Sequence, residues 1–120
     1  MILDHIAARK REEIAALKKT GIRAPETVVP PPRGFSQALR TASGVAIIAE
    51  AKKASPSKGL MVPNYDPVKL ATTYVKAGAR AISVLTDGRH FQGSLSDLRD
   101  VKESIGSKAP VLRKDFVFYP

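Results

Sequence analysis

Hydrophobic and polar positions follow two rhythms along this chain, and the change falls near residue 45. Before it, Leu3, Ile6, Ile14 and Leu17 recur at helical spacing, with Arg9, Lys10, Arg11, Glu12, Glu13, Lys18 and Lys19 between them. The spacing predicts an amphipathic helix over 4–19, with Asp4 as N-cap and Gly21 as its stop. Val29-Pro30-Pro31-Pro32-Arg33-Gly34 reads as a surface linker, because its prolines remove backbone donors and fix φ. Phe35 to Thr41 predicts a short helix that turns Phe35 and Leu39 inward.

From residue 45 short apolar runs alternate with helical ones. Val45 to Glu50 reads as a first strand. Asp66-Pro67 then opens a helix, Asp as N-cap and Pro at the first helical position, carrying Val68, Leu70, Ala71, Tyr74 and Val75 to a stop at Gly78. Ala81 to Leu85 is a second strand, ending at Thr86-Asp87-Gly88. A second helix runs from Ser94 to Ile105, with Ser94 and Asp97 in capping-box spacing and Gly106 past its end. Val111 to Val117 is the third strand. This βαβαβ order with near-continuous apolar strands predicts a parallel sheet covered on at least one face. The expected fold is α/β: residues 1–44 a helical extension and Pro-rich linker, residues 45–120 the first three strands and two helices of a (β/α)8 TIM barrel. Strands one and three would then be open edges, suited to self-association or to pairing with a separate C-terminal half. A small complete α/β sandwich is the alternative.

Composition narrows the function. The hydrophobic share of 43% argues against disorder. No cysteine is present, so disulfides and Cys-based metal sites are excluded. No apolar run is long enough to cross a bilayer, and the N-terminus lacks a signal peptide's basic-then-apolar order, so a cytoplasmic protein is expected. The net charge of +9, from 20 basic and 11 acidic residues, raises nucleic-acid binding as a reading. The basic residues are dispersed, however, and aromatics do not interleave with them. An anionic small-molecule substrate uses the charge better.

Candidate chemistry gathers where the strands end. Glu50 and Lys52 alternate onto one side after strand one, Asp87 follows strand two, and Lys114-Asp115 lies on strand three. Such groups at the C-terminal mouth of parallel strands are where α/β folds place their sites. Alternation puts Leu112, Lys114 and Phe116 on one face and Arg113 with Asp115 on the other. Lys114, set among apolar neighbours, is expected to be buried, which would lower its pKa, while a nearby carboxylate such as Glu50 would keep it charged. The bland reading pairs Lys114 with Asp87 or Glu50 as scaffold. Ser55-Pro56-Ser57-Lys58-Gly59 offers hydroxyls, amides and a lysine to an anion, a weak signal alone. Phe91 either stacks on an aromatic ligand or caps the mouth. His5 and His90 lack carboxylates at ligand spacing, so no metal is expected, and neither a Walker A loop nor G-x-G-x-x-G is present.

Three spaced motifs carry a resemblance across essentially the whole chain. Ile47-Ile48-Ala49-Glu50-Ala51-Lys52-Lys53-Ala54-Ser55-Pro56-Ser57 resembles the strand-one motif of indole-3-glycerol-phosphate synthases. Ile82-Ser83-Val84-Leu85-Thr86-Asp87 with Phe91-Gln92-Gly93-Ser94, and Val111-Leu112-Arg113-Lys114-Asp115-Phe116, resemble the second and third. The resemblance implies a (β/α)8 barrel that closes the ring of 1-(2-carboxyphenylamino)-1-deoxyribulose 5-phosphate, with loss of carbon dioxide and water, in tryptophan biosynthesis. It implies three catalytic residues: Lys114 as general acid toward the ribulose carbonyl, Lys52 on the substrate carboxylate with a share in acid catalysis, and Glu50 orienting both lysines and assisting proton transfer. Ser55 and Pro56 would line the ligand, and Phe91 and Phe116 would wall the anthranilate ring. No cofactor is implied.

Length is the departure from the family. Its later strands supply another catalytic glutamate, an asparagine and the phosphate-holding loops, so the chain by itself is expected to be inactive or nearly so. Two other readings stay open. One is a half-barrel structural module; the other is a different barrel enzyme using Lys114 as a Schiff-base amine.

Overall fold

Three parallel strands form the sheet that positions everything else, in the order β1 (Ile48–Ala51), β4 (Ala81–Leu85), β5 (Val111–Lys114). The computed structural model describes residues 1–118. Tyr119 and Pro120, the last residues of the expected barrel segment, lie outside the described residues. Two compact units are present: Met1–Pro31 with Phe116 to Phe118, and Pro32–Asp115.

In the first unit, helix α1 spans Ile2–Thr20, longer at both ends than its apolar spacing predicts. Asp4 is not its N-cap. Met1 takes that position without a side-chain bond, and the Asp4 carboxylate sits in the first turn, 3.6 Å from the terminal ammonium. Arg9 pairs with Glu12 at 2.8 Å on the exposed side, while Lys10, which the apolar spacing places among the polar positions, is buried and meets Glu13 at 2.7 Å. At the other end of the unit the Arg11 guanidinium lies 5.7 Å from the Phe118 ring centroid.

In the second unit, α2 (Phe35–Arg40) ends one residue early, with Thr41 as its C-cap. Helix α3 (Pro67–Lys76) begins as expected: Asp66 accepts the Lys69 N–H at 3.0 Å, with Pro67 at the first turn. Helix α4 (Leu95–Ile105) begins with Ser94 accepting the Asp97 N–H at 3.0 Å. Both helices pack on one face of the sheet. Their core is Ala71, Ile82, Val84, Val101, Ile105 and Ala109, flanked by Ala49, Val68, Leu98 and Val111. Those strand residues all belong to one alternation set.

Both outer strands are shorter than predicted. The Ile47 carbonyl takes the Arg80 N–H, and β4 starts only at Ala81. Among the described residues no strand therefore pairs with Val45, which is 90% exposed. The first strand instead runs on to Ala51, opposite Val84. At the other end Leu85 pairs with Lys114, and the Thr86 N–H on the Lys114 carbonyl is the last bond of the ladder. The third strand stops there, and Phe116 does not continue the Leu112–Lys114 row.

The segment after β1, read from sequence as a loop, contains a small antiparallel hairpin, β2 (Ala54–Ser55) with β3 (Gly59–Leu60). The Lys53 carbonyl accepts the Met61 and Val62 N–H groups and folds the segment back. Among the described residues, no helix is long and apolar enough to cross a membrane.

Candidate active site

Register across the three strands sets one face apart from the helix-covered one. Ile48 and Glu50 on β1 stand beside Ala81 and Ser83 on β4, with Leu112 and Lys114 following on β5. β1 and β5, which carry Glu50 and Lys114, are not neighbours in the sheet. β4 lies between them and Lys114 is two residues further along, so the backbones of the two residues are about 12 Å apart by strand spacing and rise. The lysine stem crosses that gap, and Lys114 Nζ lies 3.5 Å from Glu50 Oε1. Beneath the pair is Ser83, 4% exposed, whose hydroxyl has no hydrogen-bond partner among the described residues.

The expected burial of Lys114 is not found. Its side chain is 55% exposed and that of Glu50 32%; α3 and α4 pack on the opposite face of the sheet. The pair is thus a solvent-accessible acid–base couple at the strand mouth. Both groups can reach an arriving ligand.

Asp87 has another task. It is 1% exposed, and its Oδ2 accepts the His90 N–H at 2.9 Å. The Gly93 N–H bonds the Asp87 carbonyl at 2.8 Å, closing the loop that carries half-buried Phe91 at the mouth. Gly93 is required here: a Cβ would overlap the Leu85 carbonyl oxygen. The carboxylate after strand two therefore shapes a loop.

Lys52 follows the end of β1 and is half-buried, so strand alternation does not govern it. Ser55 is buried in β2, where its Oγ accepts the Lys58 N–H at 3.3 Å, and Pro56 is exposed in the turn. The hydroxyl offered to an anion is thus already an acceptor within its own turn, though its O–H can still donate. Phe116, half-buried, belongs to the unit of α1.

Two features escaped the sequence reading. Thr86 Oγ1 donates to Asp115 Oδ2 at 2.7 Å and accepts from Arg113 Nε at 3.1 Å, while Arg113 Nη2 lies 3.4 Å from the same carboxylate oxygen. Only the Arg113–Asp115 half was legible, from their shared face; Thr86 comes from another strand. This network ties the ends of β4 and β5 together on either side of the Lys114 carbonyl. The second is Tyr65, whose hydroxyl pKa is pushed up to about 12, mainly by burial, then by the charges of Asp97, Tyr74 and Glu50. Its position before the Asp66 cap gave no chemical signal. Among the described residues no cluster of three His, Cys, Asp or Glu side chains is arranged to hold a metal.

Parallel strands with covering helices on one face, and a lysine–carboxylate pair at their C-terminal ends, make this the N-terminal portion of a (β/α)8 barrel. Residues 3–120 match the family model of indole-3-glycerol phosphate synthase, and the chain belongs to that family. It is 54% identical to an indole-3-glycerol phosphate synthase of Desulfotalea psychrophila, over 97% of this chain and 45% of that protein. Identity is 47% to one from a Roseiflexus species, over 99% of this chain and 47% of that protein. A Geobacillus thermodenitrificans relative is 49% identical, with 97% and 43% covered. The chain thus spans about half the length of the curated relatives it matches.

Proposed function

We propose that this chain is the barrel segment of an indole-3-glycerol-phosphate synthase, a lyase of tryptophan biosynthesis in the cytoplasm, that supplies the proton-transfer corner of the site. The observation that carries the reading is the Lys114–Glu50 approach of 3.5 Å at the strand mouth, in a chain of this family. The substrate is 1-(2-carboxyphenylamino)-1-deoxyribulose 5-phosphate. In ring closure the aryl carbon bearing the carboxylate attacks the ribulose carbonyl, whose oxygen becomes more basic as the bond forms. Lys114 donates the proton to that oxygen, and Glu50 holds the ammonium group in place for it. Loss of carbon dioxide restores the aromatic ring, and departure of the protonated hydroxyl as water, with a proton released from the neighbouring CH2, completes the indole.

Lys52 meets the substrate carboxylate, and an open, cationic mouth suits an anion with two acidic groups. Ser55 and Pro56 line the ligand from the hairpin, while Phe91 and Phe116 wall the aromatic ring. Residues 1–44 serve as the extension and 45–120 as the barrel part. β1 and β5 each pair on one side only, with β4, which leaves two parallel edges for the rest of a barrel or for a second copy. By itself the chain has little or no activity.

A chimera tests the reading. Residues 1–120 replace the matching segment of the Desulfotalea psychrophila relative, and indole formation is followed by fluorescence. Activity that survives the exchange and disappears with Lys114→Ala is expected. A folded chimera without product, or one indifferent to Lys114→Ala, would overturn the proposal. Sedimentation of the chain alone, then with the relative's remaining barrel segment, distinguishes self-association from pairing.

A further inference from the structure

At the opposite end of the strands from Glu50 and Lys114 lies a second concavity, of about 260 Å³, whose lining includes Arg33, Arg80 and Lys108 and no carboxylate. Arg80 immediately precedes β4, and Pro110, also in the lining, immediately precedes β5. The two ends of the five-residue β4 are about 13 Å apart by strand rise, so this is a separate place from the mouth.

The cations are held in position by neutral partners. Arg80 Nε donates to the Ala38 carbonyl at 2.9 Å and Nη2 to Thr41 Oγ1 at 3.0 Å. Arg33 Nη2 donates to the Lys102 carbonyl at 2.9 Å. These bonds orient both guanidinium planes but neutralise neither. Among the described residues, none of Arg33, Arg80 and Lys108 forms an ion pair. Each guanidinium has five N–H donors in a fixed fork, so both keep donors beyond those used. Thr41, Ser107 and Gln37 add neutral polar groups to the lining.

Three uncompensated cations around one concavity repel each other, and their fields add within it. Clamping α2 to the start of β4 would need donors but not charge. Anchored guanidinium forks beside a mobile ammonium are the arrangement that matches a tetrahedral oxyanion. We propose that this concavity between α2, the start of β4 and the Gly106–Lys108 turn binds a phosphoryl anion. The ligand is phosphate or a small molecule bearing it, held by Arg33, Arg80 and Lys108. The site is independent of the ring-closing chemistry at the mouth.

Inorganic phosphate and pyrophosphate are titrated into the ¹⁵N-labelled chain at constant ionic strength. Saturable shifts are expected in the Thr41, Ser107 and Lys108 amides and the Arg80 Nε–H, with pyrophosphate binding tighter. Lys108→Glu, on an exposed side chain, should weaken pyrophosphate by about tenfold, the scale of one close charge reversed in a partly screened site. Lys58→Ala, at the mouth, should leave those shifts and their midpoint unchanged. Shifts confined to Lys52, Lys58 and Lys114, or unsaturable shifts spread over all exposed lysines, would overturn the assignment. So would an affinity untouched by Lys108→Glu.

Discussion

Lys114 Nζ lies 3.5 Å from Glu50 Oε1 across the whole width of β4, so side chains bridge two strands that pair with β4 and not with each other. Exposure of both groups makes the pair weak as scaffold, within about 1 kcal/mol. Glu50→Gln should therefore leave the midpoint of urea unfolding of the chain almost unchanged. In the chimera it should lower kcat by about a hundredfold, the scale of a mispositioned general acid. A large loss of stability with unchanged kcat would make the pair structural.

Thr86 is where the ends of β4 and β5 are joined. Thr86→Val keeps the shape but removes the hydroxyl that donates to Asp115 and accepts from Arg113. The buried Asp115 oxygen loses the 2.7 Å bond from Thr86, so a destabilisation of about 1–3 kcal/mol is expected in denaturant unfolding. In the chimera kcat should fall as well, since the lost hydroxyl also lies 3.5 Å from the Lys114 carbonyl.

Gly93→Ala is predicted to be among the most damaging single changes. The new methyl would meet the Leu85 carbonyl, a backbone group that cannot swing aside. A loss of about 3 kcal/mol or more is expected, on the scale of severe overpacking. Phe91 fluorescence is too weak to report the loop, so amide shifts of residues 87–93 serve as the readout.

Tyr65 gives the chain an alkaline limit. Its hydroxyl is pushed up to about 12 in the folded chain from an ordinary value of 10.0. Between those values the unfolded chain releases a proton that the folded chain keeps, so stability is full below pH 10 and falls as pH rises toward 12. Tyr65→Phe should flatten that part of the stability–pH curve and remove one tyrosinate transition near pH 12. An unchanged curve would show that the phenol is not shielded.

Local signals in the sequence were sufficient for the second unit's helices. Asp66 and Ser94 cap α3 and α4 through neighbours three residues away, and those bonds need nothing from the rest of the chain. Strand limits were less legible, because a strand is as long as its partner allows. Val45 is as apolar as its neighbours, yet β4 begins too late to reach it.

The opening of an apolar strand onto Glu50, the helix caps and the family resemblance are properties of residue order, and the sequence alone determined them. Only the tertiary structure decided that Glu50 and not Asp87 meets Lys114, that Lys114 stays in solvent, and that Asp87 is spent on its own loop. Each depends on which strand lies between which and on which sheet face a helix covers. Those distances join residues as much as 64 positions apart, such as Glu50 and Lys114 (114 − 50), and no local pattern encodes them.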